Sequence, residues 1–355
     1  MNSSTSSFDP AFESESSALR APAFGFRLML LTLAISLFAL LCWEFWLRSR
    51  GVQVDGTPQL SAWAARFEQA KRSGPDAIVF IGSSRVKCGI VPAEVASGAG
   101  IERDQVHNLA VVNSSSLPVL EALADSEFRG TVVCEVLPSH FYGDAGRAEA
   151  REALNAADGW RGAQAMEGSV EGHARRNMRL LNPRATPLML AQRIQLDLRG
   201  KVRPDAFGGA DDIARIHHED GWEEIISSSR TPRQWLETAE VHAGNVRKAS
   251  RPATVEGLKE LSVTLSELVA RINARGGRVV FVRMPVSGVV EDVEFELYPP
   301  KLCWTRALGG VDAEEVHYLS DGPVLEPVDG SHLDSKAARE YSRWIGRYLQ
   351  ESDRR

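Results

Sequence analysis

Four short apolar runs, each ended abruptly by polar residues or proline, constrain the fold of this chain more than any other feature. In the first run, Ile78–Ile81 is followed directly by Gly-Ser-Ser-Arg. The runs do not alternate apolar with polar residues, which predicts strands buried on both faces of a parallel sheet. Predicted helices separate them, so we expect a three-layer α/β domain whose sheet has about five strands. The runs lie within 78–81, 106–117, 131–137 and 278–284.

The segments between these runs carry helix signals. The clearest is an amphipathic pattern over 255–275, which ends at two glycines as helices often do. The chain's last segment has a similar apolar stripe, and either Asp334 or Ser335 can cap that terminal helix. No strand is convincing between 142 and 255, so we expect a helical insertion there that acts as a lid or cap.

An apolar run near the N-terminus predicts a membrane anchor. Residues 28–47 contain Glu44 as their only charged residue, and twenty helical residues cross the roughly 30 Å hydrocarbon core of a bilayer. Bulky residues follow the run, where a cleaved signal peptide would have small ones. We therefore expect a transmembrane anchor over 27–48, in preference to a signal peptide or a buried soluble helix. Residues 1–26, which begin with a Ser- and Glu-rich stretch, are predicted to be a disordered tail.

Composition and motifs exclude several classes of function. The formal net charge is −6, and no basic stripe with interleaved aromatic residues is present, so we expect no nucleic-acid partner. The sequence has no Gly-rich phosphate motif and no Cys/His spacing typical of a metal site. The polar cluster at 216–220 contains two adjacent histidines, which point apart in a loop, and we interpret it as solvated. We therefore predict no cofactor and no metal ligands.

Polar clusters follow all four predicted strands. Ligands of doubly wound sheets bind outside the carboxyl ends of the strands, so we expect these clusters to meet at one edge. A loop before the terminal helix adds Asp329 and His332. The clusters after the strands are Ser83-Ser84-Arg85, Asn113-Ser114-Ser115, Ser139-His140 and Arg283.

The spacing of Asp329 and His332 suits a catalytic pair. Three residues apart in a compact loop, the carboxylate can accept a hydrogen bond from one imidazole nitrogen and leave the other free to take a proton from Ser84. Taken singly, a Gly-x-Ser after a strand is usually a turn, and an Asp-x-x-His before a helix is usually a cap with a surface histidine. Their combination on an α/β pattern favours a Ser-His-Asp triad.

These motifs resemble the sequence blocks of the SGNH (GDSL-like) hydrolase superfamily. "VFIGSSR" is similar to the first block and makes Ser84 the nucleophile, while "DGSHLD" is similar to the last block and gives Asp329 and His332. "VHNLAVVNSSS" is similar to the second block and puts Asn113 where the family has a glycine that donates to the oxyanion hole. The third block, Gly-x-Asn-Asp, is missing, and "CEVLPSHF" stands in its place. The resemblance covers about 77–140 and 255–350.

The resemblance implies a flavodoxin-like three-layer domain over 51–355, interrupted by the insertion at 142–255. "RMPVSG", "YPPKLCW" and "DGSHLD" also resemble a membrane-anchored branch that includes DltD-type and alginate-acetylation proteins. For the oxyanion hole, the backbone N–H groups of Ser84 and Asn113 are two expected donors, and the Asn113 side chain or Arg85 is a candidate third. Arg283 is expected either to contact substrate or to form a structural salt bridge.

Two interpretations of the function follow from this resemblance. The first is a serine esterase or O-acyltransferase that acts on acylated cell-envelope glycan or lipid, held by its anchor with the domain on the periplasmic or extracytoplasmic side. Under this first interpretation, a membrane acyltransferase is a candidate partner. The second is a catalytically inactive SGNH-like scaffold or glycan-binding module of an envelope assembly. The missing block favours the second, and the complete set of Ser84, Asp329 and His332 leads us to prefer the first.

Overall fold

A computed structural model describes residues 21–49, 60–159, 170, 174, 177–181, 215–218, 220–318 and 320–353. That part of the chain forms twelve α-helices and seven strands. The helices are α1 (Ala21–Ser49), α2 (Leu60–Arg72), α3 (Ser84–Gly89), α4 (Pro92–Ala99), α5 (Leu117–Ala124), α6 (Pro138–Phe141), α7 (Arg147–Asp158), α8 (Pro232–Ala249), α9 (Val255–Asn273), α10 (Gly288–Leu297), α11 (Pro300–Leu308) and α12 (Ser335–Ser352). The strands are β1 (Ile78–Ile81), β2 (Val106–Asn108), β3 (Thr131–Glu135), β4 (Arg215–His217), β5 (Glu223–Ile225), β6 (Arg278–Arg283) and β7 (Glu314–His317).

Five of the strands form one parallel sheet in the order β2-β1-β3-β6-β7. Along the chain this is the order 2-1-3-4-5 of doubly wound sheets, in which the strand order reverses beside the first strand. The α/β class and the parallel sheet of five strands predicted from the sequence are therefore confirmed. The carboxyl ends of β1, β3 and β6 lie side by side at one edge.

The sheet separates two hydrophobic layers, and β1 shows why its run is continuously apolar. Val79 and Ile81 pack into the layer formed with α2, α5, α9 and α11. Ile78 and Phe80 point the other way, into the layer formed with α4 and α12. Because both faces of the strand are covered, every position must be apolar.

Three strands of the sheet, β2, β3 and β7, differ most from the sequence analysis. β2 ends at Asn108 and β3 at Glu135, both earlier than predicted. β7 was not predicted at all, because it is an edge strand in which Val316 is buried while its neighbours in the strand are partly or fully exposed. Such a strand lacks the continuous apolar run that marks the inner ones.

The segment predicted as a helical insertion also contains a small sheet. Helices α7 and α8 lie in it, but β4 and β5 form an antiparallel pair that its short, polar sequence did not reveal. The buried Trp222 beside β5 donates its indole N–H to the carbonyl oxygen of Cys88 at 2.8 Å, and Lys87 pairs with the buried Glu223 at 2.8 Å. These contacts fix the small sheet against α3. Within the predicted insertion, residues 160–169, 171–173, 175–176, 182–214 and 219 lie outside the described residues.

Among the described residues, one helix, α1, is long and apolar enough to cross a membrane: Gly25–Ser49 has a mean hydropathy of 2.2 over its most apolar stretch. It begins at Ala21, six residues before the predicted anchor, and Pro22 is tolerated there because the first turn of a helix needs no N–H donor. Residues 1–20 of the predicted tail lie outside the described residues. The far end of α1 contacts the insertion, where the backbone N–H of Leu180 donates to the Glu44 carboxylate at 2.8 Å.

Candidate active site

The candidate nucleophile lies where β1 turns sharply into α3. Ser83 caps the helix by accepting a hydrogen bond from the backbone N–H of Arg85 at 3.3 Å, and Ser84 is the first helical residue. Gly82 is required at the turn, since a Cβ on it would collide with the side chains of Glu135 and Val86. The close approach of strand, turn and helix holds the Ser84 hydroxyl at the carboxyl edge of the sheet.

The loop before α12 brings an aspartate and a histidine to this serine. The Nε2 atom of His332 lies 2.8 Å from the Ser84 Oγ, and its Nδ1 atom lies 2.8 Å from the Asp329 Oδ2. The other carboxylate oxygen of Asp329 accepts hydrogen bonds from the backbone N–H groups of Ser331 at 3.0 Å and His332 at 2.7 Å. Gly330 makes the turn with a φ of 75°, which glycine adopts without strain. The structure therefore brings together all three residues predicted as the triad.

Electrostatics favour the ionised form of Asp329. Its side chain is fully buried, which by itself raises the pKa of a carboxyl group, but the neighbouring His332 and the hydrogen bonds it donates hold the pKa of Asp329 well below its usual value. An ionised carboxylate beside Nδ1 keeps the ring proton on that nitrogen. Nε2 is then an acceptor, which is the form that can take the proton of Ser84.

Arg85 and Arg283, which the sequence analysis considered for an oxyanion or substrate role, lie in a buried ion-pair cluster. Both guanidinium groups are buried and pair with the Glu294 carboxylate, Arg85 at 2.5 Å and Arg283 at 3.1 Å. Arg85 also donates from Nε to the Ser331 hydroxyl at 3.0 Å. The salt-bridge alternative for Arg283 is the one that the structure shows. Arg85 supports the Asp329–His332 loop from behind and is turned away from solvent.

Asn113 sits beside the site in a left-handed backbone conformation, with a φ of 56°. Its side-chain amide donates to Glu149 at 3.3 Å, and its carbonyl oxygen lies 3.3 Å from the Nε2 atom of His140. The Nδ1 atom of His140 lies 2.9 Å from the Ser139 hydroxyl. The Asn113 side chain is thus held by His140, which follows β3, and by Glu149 on α7.

Glu135 is a buried residue of the site whose position the sequence did not reveal. Its carboxylate accepts a hydrogen bond from the backbone N–H of Ser83 at 2.5 Å, directly behind the nucleophile turn. Burial raises the pKa of Glu135, against the opposing charge of Arg85. It ends β3, where the third SGNH block would begin, and it ties the ends of β1 and β3 together. A polar residue in a continuous apolar strand was the signal that could have marked it.

A second histidine reaches the triad from the insertion. His242 lies on α8, and its Nδ1 atom is 3.6 Å from the Asp329 Oδ2. Its ring meets that of His332 edge-on, with 5.5 Å between the ring centres. No local motif surrounds His242 in the sequence, so nothing there could have predicted this placement. Among the described residues, His242, Asp329 and His332 form a group whose ligand atoms lie within 4.8 Å of one another, close enough to hold a metal ion.

No family model and no curated protein matches this chain. The chemistry of the site is therefore inferred from its own geometry. A hydroxyl hydrogen-bonded to an imidazole that is oriented by a buried carboxylate can be deprotonated as it attacks a carbonyl carbon. The arrangement is suited to acyl transfer through a covalent intermediate on Ser84.

Proposed function

We propose that this protein is a membrane-anchored serine esterase or O-acyltransferase of SGNH type that acts on acylated cell-envelope glycan or lipid. The observation that carries the proposal is the continuous hydrogen-bond relay from Ser84 through His332 to the buried Asp329, with both heavy-atom distances at 2.8 Å. Hydroxyl, base and orienting carboxylate lie within the distances that proton transfer requires. The doubly wound sheet and the position of Ser84 at its carboxyl edge add support.

In the proposed reaction, the Ser84 oxygen attacks the acyl carbonyl while His332 takes its proton. The tetrahedral intermediate then collapses, and His332 returns the proton to the departing alcohol oxygen. The acyl group stays on Ser84 as an ester. Water or a sugar hydroxyl attacks that ester next while His332 takes its proton; the bond between the acyl group and Ser84 then breaks, and His332 returns the proton to the Ser84 oxygen. The choice between the two acceptors separates an esterase from an acyltransferase.

The developing negative charge on the carbonyl oxygen needs fixed donors about 3 Å away. We assign this role to the backbone N–H groups of Ser84 and Asn113. Arg85, the cation considered as a third donor, is instead buried in an ion pair with Glu294. The hydrogen bonds that fix the Asn113 side chain also restrain its backbone, which gives the preorganisation that an oxyanion hole depends on.

The proposed location is the extracytoplasmic side of a membrane. Helix α1 is long and apolar enough to be the anchor, and the site would then act near the membrane surface on envelope substrates. Alkaline phosphatase fused to the C-terminus should be active in this topology. An inactive phosphatase fusion together with an active cytoplasmic reporter would reverse the orientation.

A fluorophosphonate probe tests the nucleophile directly, because it forms a stable bond only with an activated serine. The full-length protein in detergent should be labelled, and peptide mass spectrometry should locate the label on Ser84. Ser84→Ala should abolish labelling while leaving the melting temperature nearly unchanged, since Ser84 is partly exposed and loses one hydroxyl. A folded wild-type protein that is never labelled would remove the enzyme proposal and favour the scaffold.

A further inference from the structure

The proposed acyl-transfer reaction gives no role to the His242 side chain. A triad needs one imidazole, yet a second one lies 3.6 Å from the same Asp329 oxygen that accepts from His332. His242 is partly exposed, with 29% of its side chain accessible, while its Nδ1 atom, which faces Asp329, is buried. Three side chains of types that bind transition metals therefore converge at this point.

Packing of α8 holds His242 in this place. Ala239 and Ala243 are buried against Val290 and Val293 of α10, and small residues on one helix let the two helices approach closely. His242 is next to Ala243 in the sequence, so its direction is set by that contact. The ligand atom reaches Asp329 from a rigid helix.

The distances suit a tetrahedral metal ion. Ligand atoms about 2.0–2.1 Å from zinc at tetrahedral angles are about 3.3 Å apart. The Asp329 oxygen lies 2.8 Å from His332 Nδ1 and 3.6 Å from His242 Nδ1, on either side of that value. We propose that His242, Asp329 and His332 form a binding site for Zn²⁺ or a similar divalent transition metal, with the fourth position open to water. Two imidazoles and one carboxylate are ligands that zinc accepts.

Metal binding at this site excludes the catalytic form of His332. A metal bonded to Nδ1 takes the position of the ring proton, so the neutral ring carries its proton on Nε2 and no net proton is lost. Nε2 then donates and cannot accept the Ser84 proton. Zinc is therefore an inhibitor of the acyl-transfer reaction. This inhibition rests on the proposed function, whereas the metal binding does not.

The first test measures metal binding directly and does not depend on enzymatic activity. Zn²⁺ is titrated calorimetrically into the full-length Ser84→Ala protein in detergent. We expect saturable binding of one ion, weakened at least about tenfold by an added His242→Ala change, since loss of even an outer-shell partner typically costs 10–100-fold in metal affinity. His218→Ala is the matched control, because His218 pairs with Glu224 away from this site, and it should leave the affinity unchanged. Absence of binding, or equal affinity after His242→Ala, would overturn the proposal.

A second measurement separates the metal site from the esterase. The rate at which fluorophosphonate labels Ser84 is compared with and without Zn²⁺, and EDTA should restore the rate. Zinc should slow labelling at least about tenfold in the wild type and much less in His242→Ala. His242→Gln, which keeps a polar side chain of similar size, repeats the comparison should the alanine variant melt early. If zinc binds but the wild type is never labelled, the metal site stands and Ser84 is not the nucleophile. If the wild type is labelled equally fast with and without bound zinc, zinc is not an inhibitor.

Discussion

Replacing Asp329 with asparagine removes one charge from the triad without changing the size of the side chain, and the structure dictates how the amide must sit. The Oδ1 position faces two backbone N–H groups, those of Ser331 and His332. An amide nitrogen there would point donors at donors, and each unsatisfied buried group costs about 1–3 kcal/mol. The asparagine carbonyl oxygen therefore takes this position, favoured by about 2–6 kcal/mol for the pair of hydrogen bonds.

The amide nitrogen of the Asp329→Asn variant then occupies the former Oδ2 position, 2.8 Å from His332 Nδ1. It donates a hydrogen bond, so Nδ1 must accept and the ring proton moves to Nε2. The Ser84 hydroxyl faces a donor in place of a base. A wrong histidine tautomer of this kind costs a Ser-His-Asp triad about 10⁴ in rate, or about 5.5 kcal/mol of transition-state stabilisation.

The second-order rate constant for fluorophosphonate labelling of Ser84 measures this loss in the full-length protein. Asp329→Asn should label about 10⁴-fold more slowly than wild type but faster than His332→Ala, because the base is mis-set and not removed. Thermal melts of each variant control for folding. If Asp329→Asn labels within about tenfold of wild type, His332 does not depend on Asp329 for its tautomer and the triad reasoning fails.

Three further changes test separate parts of the structure. Ser83→Ala should cost about 1 kcal/mol in melts through the lost helix cap and keep most of the labelling rate; a complete loss of labelling with Ser84→Ala still labelled would make Ser83 the nucleophile. Glu294→Gln removes the carboxylate that pairs with two buried arginines and should lower the free energy of unfolding by about 3–5 kcal/mol in denaturant melts. By contrast, Glu296→Gln on the exposed side of the same helix should change it by less than about 1 kcal/mol. Burial lowers the pKa of His107 to about 4, so the folded state resists protonation of this ring. The contribution of His107 to the free energy of unfolding should be complete above a pH of about 6.5 and should decrease as the pH drops toward about 4. Melts across this range should show a smaller loss of stability in His107→Gln than in wild type. An equal loss would assign the effect to other groups.

The sequence was sufficient for those parts of the site that local patterns specify. Ser84 follows a continuous apolar strand, and Asp329 and His332 lie three residues apart, so each motif already contains the backbone geometry that its role needs. The inner strands were predicted for the same reason, since burial on both faces forces an apolar residue at every position.

Contacts between distant segments could not be predicted in this way. Arg85 and its partner Glu294 are 209 positions apart in the sequence. The residues next to Arg85 in the sequence therefore could not reveal that the guanidinium group is buried in an ion pair. His242 reaches Asp329 only because α8 packs on α10. The edge strand β7 was missed because a half-exposed strand of four residues carries too few apolar positions to stand out.

The sequence separation of 248 between Ser84 and His332 also determines when the proposed site can form. During synthesis, Ser84 is added to the chain long before His332. Strands β6 and β7 and the loop before α12 must then fold before the imidazole of His332 can contact the Ser84 hydroxyl. Contacts this distant in sequence form late and slowly during folding. A chain that stops before His332 therefore lacks the proposed base, so on the proposed function a reactive serine would appear only after synthesis and folding have passed the loop that carries His332.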